Sequence, residues 1–92
     1  MPSVPSQFNL QQNYPNPFNP TTTIEFAIPQ ASDVTLKIYN LRGEEVATLV
    51  SERLPPGNYK REWSAEGLSS GVYFYRLQAG TFVETRKLLL VK

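Results

Sequence analysis

The side chains with which this chain could do chemistry are Ser, Tyr, Lys and eight carboxylates, among which only Asp33 is an aspartate. It contains no His and no Cys. That removes the usual general base, the commonest metal ligand, the thiol nucleophile and every cysteine-based zinc site. The acids do not form a working set. Glu44 and Glu45 are sequence neighbours, so on a strand they point to opposite faces and cannot act on one substrate as a carboxylate pair. The glycine-rich phosphate loops, the GxSxG nucleophile elbow and the HExxH zinc motif are absent, as is the acidic spacing of a calcium loop. Neither catalysis nor a metal or other cofactor is expected.

Binding is the alternative to chemistry. Tyr39, Tyr59, Tyr73 and Tyr75 could offer stacking surfaces to a sugar, although tyrosine is also an ordinary strand residue. Nine Lys plus Arg against eight Asp plus Glu leave a net charge of +1, and the basic residues are scattered, so no nucleic acid is expected as a partner. The sharpest local anomaly is the segment Lys87, Leu88, Leu89, Leu90, Val91, Lys92. Four consecutive apolar residues place two on each face of a strand, where a sandwich normally buries one. Either both faces are covered, or one pair, Leu88 with Leu90 or Leu89 with Val91, forms an exposed stripe between lysines. A terminal edge strand with unpaired backbone groups can also add to another sheet, its alternate side chains supplying specificity. This apolar run is the longest in the chain and far short of the roughly 20 residues a membrane helix needs, so no membrane-spanning segment is expected. Residues 1–12 lack the basic start and apolar stretch of a secretory signal.

The elements that would position these groups are strands. Prolines crowd the first twenty residues, at 2, 5, 15, 17 and 20, and thin out afterwards. Residues 1–7 read as the remnant of a linker, with a single domain over 8–92. Around residues 13–20, fixed proline φ and restricted pre-proline residues favour an ordered lead-in loop over helix or ladder. Period-two alternation then predicts strands over 22–28 and 33–39, read as antiparallel neighbours, and over 58–64; β-branched and aromatic content predicts a strand over 72–78, and a tight reversal at 79–80 leads into the last, 81–91. Residues 45–50 fit a strand less decisively, because the apolar positions of 44–54 also allow two helical turns; the neighbouring strands favour β. Six strands, or seven counting the Phe8 segment, predict an all-β fold, an antiparallel immunoglobulin-like β-sandwich. Ile24, Phe26, Leu36, Ile38, Trp63 and Phe74 are its expected core.

Five blocks, QNYPNPFNPTTTIEF at 12–26, YNLRGEEV at 39–46, LPPGNY at 54–59, SGVYFYRL at 70–77 and KLLLVK at 87–92, each weak alone, are specific in combination. In order and spacing the chain resembles a type A C-terminal sorting domain of the type IX, or Por, secretion system. The Gly-Val-Tyr-Phe-Tyr block is also similar, less specifically, to the immunoglobulin-like domain of the flagellar hook-capping family. The first resemblance implies a non-catalytic address carried at the C-terminus of a larger cargo, read by an outer-membrane translocon. It further implies a sortase-like cysteine peptidase that removes the address, and a route through the periplasm to the cell surface or medium. Residue by residue, Pro15, Asn16 and Pro17 match the family's opening motif. Gly71 and Tyr73 match its central motif, and Lys87 to Lys92 match the terminal motif, the region tied most closely to export. An adhesion or carbohydrate-binding sandwich is the alternative function.

Overall fold

Every long element of the chain is built on residues whose alternate members are apolar, which suits a sheet with one wet and one dry face. The computed structural model describes residues 4–92, so the first three residues of the expected linker lie outside the described residues. Seven strands follow in chain order: β1 (Asn9–Leu10), β2 (Thr21–Ile28), β3 (Ser32–Tyr39), β4 (Glu45–Leu54), β5 (Gly57–Ser64), β6 (Gly71–Ala79) and β7 (Phe82–Leu90). They form two antiparallel sheets, ordered β1-β2-β5 and β4-β3-β6-β7, packed as the expected sandwich. The Phe8 segment supplies the seventh strand.

Ile24, Phe26 and Ile28 of β2 meet Val34, Leu36 and Ile38 of β3 in one core, with Trp63, Tyr75, Leu77, Leu88 and Leu90. Each fully buried aliphatic or aromatic side chain contributes about 1.5–3 kcal/mol, and with no disulfide this burial holds the sheets together. Among the described residues, no buried side-chain nitrogen or oxygen lacks a hydrogen-bond partner.

Two expectations are corrected. β2 and β3 are not neighbours, because the chain crosses between sheets at 29–31 and β2 pairs instead with β5 over its whole length, Thr22 opposite Trp63. Alternation reveals which face is dry but not which strand lies alongside. Phe74 is not in the core either. Tyr73, Tyr75, Leu77 and Ala79 take the inward positions of β6, which turns Phe74 outward with Arg76. The helix considered for 44–54 is a strand, and it runs on to Leu54.

Candidate functional site: the terminal strand and its strap

β7 is the last strand of the four-stranded sheet, yet most of its outer edge near the C-terminus is covered. The lead-in loop after β1 crosses the mouth of the sandwich and lies along it. Phe18 forms a parallel bridge to Leu90: its N–H donates to the Leu89 carbonyl at 3.0 Å and its carbonyl accepts from the Val91 N–H at 2.9 Å. Asn16 Oδ1 accepts from the Leu89 N–H at 3.0 Å, and Gln12 Nε2 donates to the Lys87 carbonyl at 2.8 Å. The loop acts as a strap that satisfies the backbone of residues 87–91.

Three anchors hold the strap. The Phe18 ring is buried and packs on Trp63 with centroids 5.8 Å apart. Asn13 is buried, its side-chain amide donating to Thr22 Oγ1 at 2.9 Å and to the Pro15 carbonyl at 3.2 Å. Tyr75 reaches up from the core of β6: its hydroxyl donates to the Gln11 carbonyl at 2.6 Å and accepts from the Asn13 N–H at 2.8 Å. Burial pushes the Tyr75 phenol up to about 12, against which the Asn13 amide and the nearby Arg86 charge pull only weakly.

The terminal run divides as one of the expected arrangements. Leu88 and Leu90 are fully buried, whereas Leu89 is 38% and Val91 45% exposed, with Lys87 and Lys92 also outside. Pro15, Asn16 and Pro17 lie exposed on the strap, and the Pro15 carbonyl accepts from Thr22 Oγ1 at 3.0 Å. Gly71 opens β6 at φ 147, a conformation that L side chains rarely adopt, and stands opposite Leu90. Tyr73 is buried, edge-on to Trp63 at 6.3 Å, and its hydroxyl donates to the Ser69 carbonyl at 2.7 Å, the geometry of a tyrosine corner. Its role is to fix the entry into β6. Tyr73 and Tyr75 thus offer no stacking platform to a sugar.

Blocks far apart in sequence therefore meet at one end of the four-stranded sheet. Its outer surface there carries Val72 paired with Leu89, and Phe74 paired with Lys87. A hollow of about 230 Å³ opens between Asn16, Pro17, Val72, Lys87 and Leu89. Two more, each about 270 Å³, flank the turn at residues 40–43 and are bordered by Val72 and by Phe74 with Arg76. In that turn the Asn40 side chain accepts from the Arg42 and Glu44 N–H groups at 2.9 and 3.0 Å, and Gly43 takes φ 82. Leu41 is left 70% exposed at the rim. A larger hollow, about 460 Å³, lies at the far end of the same sheet. Its Asp33 and Arg53 pair with each other at 3.5 Å, and no motif residue borders it.

A family model described as the secretion system C-terminal sorting domain matches residues 12–92. The chain belongs to that family. Comparison with curated proteins finds no match. A C-terminal sorting signal for type IX secretion is thereby the supported role, and such a domain acts as a signal rather than as a catalyst. Among the described residues, no three His, Cys, Asp or Glu side chains group to hold a metal, and no helix is long and apolar enough to cross a membrane. Within the sorting domain, sequence reasoning missed the strap's anchors, Phe18, Asn13 and Tyr75. Phe18 carried one available signal, as the large apolar residue of a proline-rich polar loop.

Proposed function

We propose that this chain directs a larger upstream cargo through the type IX outer-membrane translocon, which reads the folded domain at the end where strap, β6 entry and terminal strand meet. The observation that carries this reading is the convergence of Asn16 and Pro17 of the strap with Lys87 and Leu89 of the terminal strand around one hollow, beside the pairing of Gly71 with Leu90. Leu88, Leu90 and Tyr73 serve it from below, as the packing that fixes that surface. Residues 1–7 act as the linker to cargo and 8–92 as the address. A sortase-like cysteine peptidase cuts in or near the linker after transit through the periplasm, leaving cargo at the cell surface or in the medium. The domain then needs no reacting groups of its own.

The test fuses the full 92-residue chain to a fluorescent periplasmic cargo in a type IX secreting bacterium. Fluorescence at the surface or in the medium is expected; a folded fusion held in the periplasm of cells with a working translocon would refute the reading. Deleting residues 87–92 is a poor companion experiment, because it also strips Leu88 and Leu90 from the core. Leu89→Asn with Val91→Asn alters only outward positions, and is expected to lower export while leaving the melt within about 1 kcal/mol of wild type.

A further inference from the structure

The two sheets present outer faces of different chemistry. On the three-stranded sheet the outward positions include Thr23, Glu25, Lys60 and Glu62, a polar face on which Glu25 stands opposite Lys60. On the four-stranded sheet, Val72, Phe74 and Leu89 form an apolar group continued by exposed Leu41, and the three hollows lie between them. The charges beside this group are mostly positive: besides Arg76 and Lys87, Arg42 borders the hollow beside Leu41, against one carboxylate there, Glu44. Lys87 stands next to Phe74 across the ladder and Arg76 follows it along β6. Neither is in a salt bridge among the described residues, although Lys37 pairs with Glu45, Arg53 with Asp33 and Arg86 with Glu84 on the same sheet. Arg76 is also held in place, its guanidinium 5.3 Å from the centre of the Tyr39 ring and 3.4 Å from the Tyr39 hydroxyl. The nearest acid of the turn, Glu44, accepts from the Asn40 amide at 2.9 Å.

An apolar surface with knobs and hollows, rimmed mainly by cations that no carboxylate pairs among the described residues, is complementary to apolar side chains flanked by carboxylates. We propose that this end of the four-stranded sheet receives a protein segment of that composition, an apolar stretch bordered by Asp or Glu. It rests on the sorting reading above in taking that segment to belong to the export machinery. The cations orient the encounter, and the hollows beside Val72 and Phe74 give it register.

The experiment uses the same cargo fusion with two double reversals of equal net charge. Arg76→Glu with Lys87→Glu strikes the rim of the hollows; Lys60→Glu with Arg53→Glu lies elsewhere and serves as the control. In parallel, the photo-crosslinking residue p-benzoylphenylalanine replaces Leu41, and for comparison Glu62 on the other sheet. Export is expected to fall by about tenfold or more for the first reversal and to stay within about twofold for the second, with both proteins melting as wild type. Crosslinks from position 41 are expected in protein segments that carry Asp or Glu beside apolar residues. If the first reversal does not fold, Arg76→Gln with Lys87→Gln replaces it, with a smaller loss expected in the same direction. Equal export of the two reversals, or crosslinks from position 41 only to lipopolysaccharide, would overturn the proposal while leaving the sorting reading intact. Conversely, a wild-type fusion held in the periplasm that still crosslinks to an acidic protein segment from position 41 defeats sorting and keeps the surface. Retention without any crosslink defeats both.

Discussion

The four-stranded sheet ends in strands of similar length, β7 at one edge and β4 at the other, and the chain treats these two edges differently. The edge of β7 is covered at residues 87–91 by backbone and side-chain donors and acceptors from Gln12, Asn16 and Phe18. Among the described residues the edge of β4 has no such cover, and β4 pairs with β3 alone. Its pairing with β3 skips Leu49 and then Val46, two bulges that break the row of edge groups, and Glu52 and Arg53 stand exposed on the regular half. Exposed edges invite unwanted pairing, and bulges and charges are the usual remedies. A strap is a stronger device, because it ties the edge it covers to the core through Phe18 and Tyr75. The strapped strand is the one in the proposed recognition surface, and the comparison teaches that this terminal segment is held as a folded object by residues some seventy positions away.

The largest effect expected from breaking this asymmetry is at Phe18. Phe18→Ala removes a ring that is only 2% exposed and packed on Trp63, at a cost of about 3–5 kcal/mol. Leu49→Ala, at a half-buried bulge of β4, is expected to cost about 1 kcal/mol. Urea unfolding of the two variants measures the gap; equal losses would mean that the strap is no more a part of the core than the open edge is.

Tyr75 comes next. Tyr75→Phe leaves the Asn13 N–H and the Gln11 carbonyl without their partner, for about 1–3 kcal/mol at neutral pH. The phenol of the folded protein is raised to about 12 from an ordinary value of 10.0, so the folded state favours the neutral form. Its contribution is complete below pH 10 and is lost as pH rises towards 12, by about 2–3 kcal/mol in all. Melts from pH 8 to 12 should show the wild type falling towards the variant; a gap that stays constant across that range would deny Tyr75 its place as the strap's buried anchor.

A smaller effect separates opening of the edge from unfolding. Asn16→Ala takes away one exposed hydrogen bond to the Leu89 N–H, worth about 0.5–1.5 kcal/mol. Hydrogen exchange is expected to quicken at the Leu89 amide, which faces the strap. The amide of Leu88, a fully buried residue opposite Tyr73 on β6, should be spared. Faster exchange at both would show β7 leaving the sheet as a unit.

These same regions explain what was legible in the sequence. β2, β3 and β5 were readable because each alternates, whereas β6 and β7 were readable from their β-branched, aromatic and aliphatic content between turns. β4 was ambiguous between helix and strand for a physical reason: the bulges at Val46 and Leu49 insert an extra residue each, so its apolar positions follow neither period. Phe74 was misplaced because a strand with aromatics on both faces does not declare which is inward. The resemblance picked out Asn16 and the terminal run, but not that one bonds the other across the whole chain. That contact depends on tertiary closure of the sandwich, and no local pattern encodes it.

The least destabilising change tests how the open edge protects itself. The bulges lie in the first half of β4, from Glu45 to Leu49, whereas residues 50–54 pair regularly with 32–36 and present an unbroken edge. Protection there falls to Glu52 and Arg53. Replacing both with Val gives up an ion pair from Arg53 to Asp33 that is largely solvated and worth about 0–1 kcal/mol, against a gain in strand propensity, so the melt should move little. What changes is the edge, which becomes a short apolar strand free to pair with a second copy. Light scattering over a concentration series is expected to show association in this variant and not in wild type. Were the variant to scatter like wild type, the bulges would have to disrupt the edge beyond the residues they occupy, and the charges at 52 and 53 would be incidental to it.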